Sequence, residues 1–343
     1  MVSITLPRPA RNLRKSLDID DEKDFLGRKL FKLYPPTVPY SSGFLDVDSG
    51  HTLYWEQCGN PDGIPAFVFH GGPGEGSSPI HRRLYDPEHY RIILFDQRGA
   101  GRSSPLGCVQ NNTLEHLISD VERLRQHLRV ERMHIMGGSW GSTLSLAYAV
   151  RYPERCISLT LRGIFLLQQK EIDWFLYGLR RIYPEAWEKF SNFIPKDERD
   201  NLLRAYHSRL FGDDLELAQQ AGKSWYEYET SCAYFLPRTG TLFTRDQYTV
   251  AHAMAKLESH YFMNEVIDPE TSFLKDIKKI RSIPSTIIQG RYDVLCPIET
   301  AYDLHTRWPE ADYVVVPDGG HSLRNPSIRS RLIEATEHGK RLV

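Results

Sequence analysis

"HIMGGSWGSTLSLAYA", His134–Ala149, sets one serine between glycines where a short apolar run gives way to a helix-like one. Met133–Met136 reads as a buried strand, and the residues after Trp140 read as a helix. In the match Gly137-Gly138-Ser139-Trp140-Gly141, a sharp strand-to-helix turn would lift the Ser139 hydroxyl above the sheet, and the flanking glycines tolerate the strained backbone. Free N–H groups and the dipole at the helix start favour developing negative charge. The pattern alone is weak evidence, so its surroundings decide whether Ser139 is a nucleophile or only a turn residue.

Similar apolar runs bounded by turn residues recur at Ala66–His70, Arg91–Phe95, Ile157–Leu161, Ser285–Gln289 and Tyr313–Pro317. They read as buried parallel strands. Between them lie helix-period segments such as Thr113–Leu128, with Leu114, Leu117, Ile118, Val121, Leu124 and Leu128 on one face. This alternation predicts an α/β fold, a mostly parallel sheet flanked by helices with right-handed crossovers. "GFLDVDSGHTLYWEQCG" alternates around "DSG" and predicts an antiparallel hairpin at the sheet edge. From about Gly163 to Ile267 strand-like runs vanish and aromatic-rich helical segments replace them; strand signals resume at Ser285. The expected organisation is an N-terminal extension (1–33), a core (34–162 and 268–343) and an inserted helical cap (163–267).

A chain of 343 residues is long enough for one large domain carrying an insertion. Its 41% hydrophobic and 25% charged residues match ordinary soluble proteins, and no run of about 18 apolar residues could span a bilayer. With 43 basic and 44 acidic residues, no overall field recruits nucleic acid or an anionic membrane. Cys58, Cys108, Cys156, Cys232 and Cys296 are odd in number and form no C-x-x-C pair, which suits neither a disulfide framework nor a zinc site. A reducing, cytoplasmic setting is expected. The first residues lack an apolar core of signal-peptide length, although the absence of acids before Asp18 leaves an organellar-targeting reading open.

A neutral serine needs a base, and the base needs an orienting carboxylate. In α/β-hydrolases these follow in the order Ser, Asp or Glu, His. "QGRYDVLCP" places Asp293 just past a strand and "VVVPDGGHS" places His321 just past the last one, at the strand ends where open α/β sheets hold their sites. Asp318 is a rival carboxylate, but three residues from His321 it suits shaping the turn. The glycines of "FHGGPGEG" would let the N–H of Gly71 or Gly72, with that of Trp140, form an oxyanion hole. A phosphate cradle is disfavoured because no G-x-x-x-x-G-K-[ST] occurs.

Together "HGGPG", "LFDQRGAGRS", "GGSWGS", "LRGIF", "QGRYDVLCP" and "PDGGHS" resemble the prolyl iminopeptidase (proline aminopeptidase) family, over roughly Tyr34 to Leu323. The resemblance implies an α/β-hydrolase fold with a helical cap, release of N-terminal proline from peptides, and no cofactor or metal. It implies Ser139 as nucleophile, Asp293 as orienting acid and His321 as base. It also implies that two cap glutamates read the substrate's free amino terminus: "SWYEYE" puts one at Glu229 and "KLESHYF" the other at Glu258. Helical spacing sets each beside an aromatic or apolar stripe, where a carboxylate would prefer a cationic guest. Arg162 in "LRGIF" matches an arginine near the family's site, able either to hold the glutamates or to brace the cap. Phe165, Trp174 and Trp225, with Trp140, are candidates to enclose a proline ring. An esterase on the same frame is the alternative, and a non-catalytic binding protein a third. Epoxide hydrolases and dehalogenases put Asp where this chain has Ser139. Met1–Leu33 and "TSCAYFLPRTGTLFTRDQ" match no pattern, and the sequence leaves the oligomeric state open.

Overall fold

A computed structural model describes residue 23 and residues 27–234 and 245–342. Most of the 1–33 extension and part of the "TSCAYFLPRTGTLFTRDQ" segment therefore lie outside the described residues. An eight-stranded sheet runs in the order β1-β2-β4-β3-β5-β6-β7-β8. The expected hairpin is β1 (Ser41–Asp46) and β2 (Thr52–Gly59), antiparallel to each other, with β1 at the edge. β2 also pairs antiparallel with β4 (Tyr90–Phe95). The remaining pairs, through β3 (Ile64–Phe69), β5 (Met133–Ser139), β6 (Cys156–Ile164), β7 (Ser285–Gly290) and β8 (Asp312–Val316), are parallel. Each predicted strand falls on an observed one; β5 and β6 run three residues further, because hydrogen bonding continues into glycine-containing ends that hydropathy does not mark.

Helices cover both faces. α1 (Leu114–His127) starts where the Thr113 side chain accepts the His116 N–H, and it buries Leu117, Ile118, Val121 and Leu124. Each such side chain contributes about 1.5–3 kcal/mol of burial. α2 (Trp140–Arg151) is buried from Trp140 to Val150, which explains why it is apolar on every side.

Between β6 and β7 the chain forms α3 (Gln169–Asp173), α4 (Pro184–Asn192), α5 (Leu202–Leu210), α6 (Leu215–Ala233) and α7 (Arg245–Asn264). Their interior is aromatic: the Phe190 ring stacks on Tyr206 at 4.4 Å and on Tyr228 at 4.3 Å. α6 and α7 pack so closely that a Cβ at Gly222 would come within 2.5 Å of the His252 Cα. α7 then lies across the carboxyl end of the sheet. His260 bonds the Asn112 carbonyl at 2.9 Å, and the Tyr261 hydroxyl donates to the Asn112 side chain at 2.7 Å. α8 (Ile298–Arg307) and α9 (Pro326–Gly339) complete the described chain. No helix among the described residues is long and apolar enough to cross a membrane.

The tightest crossing is where α2 leaves β5. A Cβ on Gly141 would lie 2.1 Å from the Phe69 carbonyl oxygen, and one on Gly137 would lie 2.1 Å from the Gly141 oxygen. Both neighbours are main chain and cannot swing aside. Gly141→Ala is therefore expected to cost about 3 kcal/mol or more, the upper range for overpacking; a urea midpoint equal to that of the parent would contradict this.

Candidate active site

Ser139 ends β5 and precedes the first residue of α2, with φ 56° and ψ −128°. A non-glycine residue there stores about 1–3 kcal/mol of backbone strain, which the surrounding packing must impose. The result is that the side chain faces a cavity of about 270 Å³ rather than the sheet. The N–H of Trp140, at the first position of α2, has no carbonyl a turn earlier to accept it.

Asp293 follows β7 and His321 follows β8, and the two meet. His321 Nδ1 donates to the Asp293 carboxylate, with N···O distances of 2.9 and 3.0 Å, while the Cys296 N–H donates to the same carboxylate at 2.9 Å. His321 and Ser139 line the same cavity. Asp318 turns away, accepting the Ser327 hydroxyl at 2.6 Å, so it shapes the turn that carries His321. Asp293, Cys296 and His321 present ligand-type atoms within 4.8 Å of one another. Their hydrogen bonds account for this closeness without an ion.

The 70–76 loop lies against the serine. A Cβ on Gly71 would come 3.4 Å from the Ser139 Cβ, and Gly72 has φ 106°. A buried relay fixes loop and turn together. His70 Nδ1 donates to the Gly71 carbonyl at 2.9 Å, and His70 Nε2 accepts the Gln97 N–H at 2.9 Å. The Gln97 side chain donates to the His70 carbonyl at 2.9 Å and accepts the Trp140 indole N–H at 2.8 Å. Burial holds His70 below its usual pKa, which favours the neutral ring that this pattern requires.

Behind Ser139 a narrower chamber opens, lined by Phe165, Phe175, Phe262, Leu295 and Cys296 together with Glu171, Glu229 and Glu258. Cys296 Sγ lies 4.0 Å from Ser139 Oγ. Glu171 accepts the N–H groups of Leu166 at 3.1 Å and Gln168 at 2.9 Å, so its carboxylate is used within the chain. Glu229 and Glu258 differ. Glu258 accepts the Trp225 indole N–H and is hydrogen-bonded to Glu229. Desolvation pushes Glu229 from 4.5 up to about 8, with a further rise from the charge of Glu75. Desolvation and then the charge of Glu229 push Glu258 well above the usual carboxyl range. Two carboxyls buried side by side cannot both ionise cheaply, so both favour the protonated form.

A profile of the alpha/beta hydrolase fold matches residues 65–323. The proline iminopeptidase of Arabidopsis thaliana is 50% identical over 314 residues, covering 91% of this chain and 83% of that protein. That of Xanthomonas citri is 45% identical over 307 residues, 89% of this chain and 98% of that one. The chain belongs to the proline iminopeptidase family of α/β hydrolases. Among solved structures, the proline iminopeptidase-related protein of Thermus thermophilus shares the fold at a TM-score of 0.55 and 19% identity, over 88% of this chain and 99% of that one. An alpha/beta fold family hydrolase from Bacillus anthracis does so at 0.56 and 16%, over 88% and 100%.

Not every expected residue of this family member reaches the cavities. The Trp174 indole donates to the Val294 carbonyl at 2.6 Å and lines neither cavity. Trp225 is buried behind Glu258, and the Trp140 indole is taken by Gln97. Phe165 does line the inner chamber; Phe175, next to Trp174, and Phe262, four residues after Glu258, join it. Their helical phase was readable in sequence, but which face met the cavity was not. Arg162 forms no hydrogen bond or ion pair with either glutamate among the described residues. Instead it donates to the His321 carbonyl and packs on Gly138, where a Cβ would come 2.5 Å from its Nη2.

The raised carboxyls have a consequence for stability. The folded chain keeps protons on Glu229 and Glu258 that the unfolded chain releases above about pH 4.5, so their contribution falls as pH rises toward about 8. Glu229→Gln removes the penalty at high pH. Its Tm is expected to exceed the parent's by about 3–5 °C near pH 9 and to converge with it toward about pH 5. A difference that shrinks as pH rises would contradict the buried-pair assignment.

Proposed function

We propose that the chain is a serine exopeptidase that releases an N-terminal proline from peptides, with the helices between β6 and β7 forming a cap over the site. The observation that carries this reading is the inner chamber: Glu229 and Glu258 face Phe165, Phe175, Phe262 and Leu295 directly behind a serine on a strand-to-helix turn, while the third carboxyl there, Glu171, is bonded to main-chain N–H groups. A prolyl residue matches it on both counts. Its ring is apolar and fits among Phe165, Phe175, Phe262 and Leu295. Its ring nitrogen is a secondary ammonium with two N–H donors, one for each of Glu229 and Glu258. Both N–H donors are then used by carboxyls, so a chain extending from that nitrogen would lose one of these bonds.

With proline so held, Ser139 Oγ attacks its carbonyl carbon. His321 takes the hydroxyl proton on Nε2, and Asp293, bonded to Nδ1, holds the ring and stabilises its charge. The oxyanion receives the N–H of Trp140 and that of Gly71 or Gly72. His321 then gives the proton to the departing amine, the C–N bond breaks, and water repeats the sequence to free proline from Ser139. Arg162 is a positioning residue in this scheme, fixing the main chain of His321 from below. The names of the relatives support the same activity. The five cysteines are all free, four of them buried, which suits a reducing, cytoplasmic compartment.

The test is a panel of prolyl, alanyl and N-acetylprolyl amides and a simple acetate ester. Ser139→Ala is expected to lose about 10⁴-fold or more in kcat on every substrate cleaved. Glu229→Gln and Glu258→Gln are expected to lose about 10²-fold on the prolyl amide, the scale of an unpaired buried charge, with far smaller losses on the ester. N-acetylprolyl amide should not turn over. Equal losses on amide and ester would point to an esterase instead.

A further inference from the structure

We propose that Glu75 selects the residue that follows the N-terminal proline, favouring a cationic side chain there. The inference rests on the aminopeptidase reading and deepens it. The Glu75 N–H donates to the Gly71 carbonyl at 3.3 Å, a tight turn that folds residue 75 back over the loop. Its carboxylate Oε2 would be 3.1 Å from a Cβ on Gly71, and that same Cβ would be 3.4 Å from the Ser139 Cβ. The charge therefore sits beside the reaction centre. It is not bonded to the loop it sits on, and the Ser77 N–H goes to Asp96 at 2.7 Å. The Glu75 side chain makes no hydrogen bond or ion pair among the described residues.

Glu75 lines the outer cavity and is absent from the inner chamber. Glu258 lines only the inner chamber and Glu229 lines both cavities, so with the ring nitrogen held between them the leaving side of the peptide runs out through the outer cavity that Glu75 lines. No other ionisable group around the outer cavity forms an ion pair with it among the described residues. Arg162 keeps its charge but donates to the His321 carbonyl, and burial drops His81 to about 4, leaving it uncharged near neutral pH. Arg324 lines the same cavity but is exposed, and its side chain forms no ion pair with Glu75 among the described residues. The group nearest the scissile bond on the leaving side is thus an unpaired carboxylate in a cleft, where charge acts more strongly than on open surface.

The experiment compares kcat/KM for release of proline from three amidated tripeptides that differ only in Lys, Gln or Glu at the second position. Because the ratio between substrates is taken within each protein, it does not depend on the fraction correctly folded. At low salt the parent is expected to prefer Lys over Glu by about tenfold, one attraction gained and one repulsion avoided. The ratio should shrink on adding about 0.5 M salt. Glu75→Gln should bring it near unity, and Glu75→Lys should invert it. Proline release from all three peptides with a ratio that neither variant changes overturns the assignment of Glu75 while leaving the aminopeptidase intact. No release from any of them by the parent overturns both.

Discussion

The close crossing of main chains at Gly137 and Gly141 is the constraint on which the arrangement depends. α2 can leave β5 only because no side chain stands between Gly141 and the Phe69 carbonyl. That approach forces Ser139 into positive φ and turns its hydroxyl out of the sheet. It also brings the free N–H of Trp140 and the Gly71–Gly72 backbone to the same side. The relay from His70 through Gln97 to Trp140 locks the two loops to each other. Strain at one residue is thereby held by packing across three strands.

A second constraint acts through charge. Glu229 and Glu258 come from different helices, α6 and α7, and their carboxyls are forced together in a dry chamber. Without a cation both favour the protonated form; in the proposed function a ring ammonium takes the place of those protons. Apolar walls make the exchange selective, since a neutral or blocked amino terminus supplies no charge to compensate the second carboxylate. In that proposal the chamber turns the cost of burying carboxylates into recognition of a free secondary amine. α7 links this to the core through His260 and Tyr261, so the chamber keeps its place above Ser139.

Much of this was legible before any coordinates. Strands, hairpin and the α1 face follow from period and turn chemistry, because burial on a sheet or along a helix leaves a one-dimensional trace. The order Ser139, Asp293, His321 was readable for the same reason: each follows a strand. The aromatic wall was not. Trp174, Phe175 and Trp225 all look alike in a helix-spaced aromatic pattern, and only tertiary packing, with Phe175 against Trp225 and Tyr228 of α6, decides that Phe175 meets the cavity while Trp174 bonds the Val294 carbonyl. Arg162 was misplaced by the same ambiguity, since its bond to the His321 carbonyl joins residues 159 apart. Cys296 and Glu171 left no signal beyond a cysteine in "DVLCP" and a glutamate three residues after Gln168.

Exchange of protons for a ring ammonium at Glu229 and Glu258 is read by calorimetric titration of the Ser139→Ala protein with a prolyl peptide and its N-acetylated counterpart, near neutral pH in buffers of different ionisation heat. The free peptide is expected to bind with net release of protons into the buffer, as the ring ammonium displaces those held by Glu229 and Glu258, and the acetylated peptide is expected not to bind. Equal binding of both peptides, or binding of the free peptide with no proton released, would contradict it.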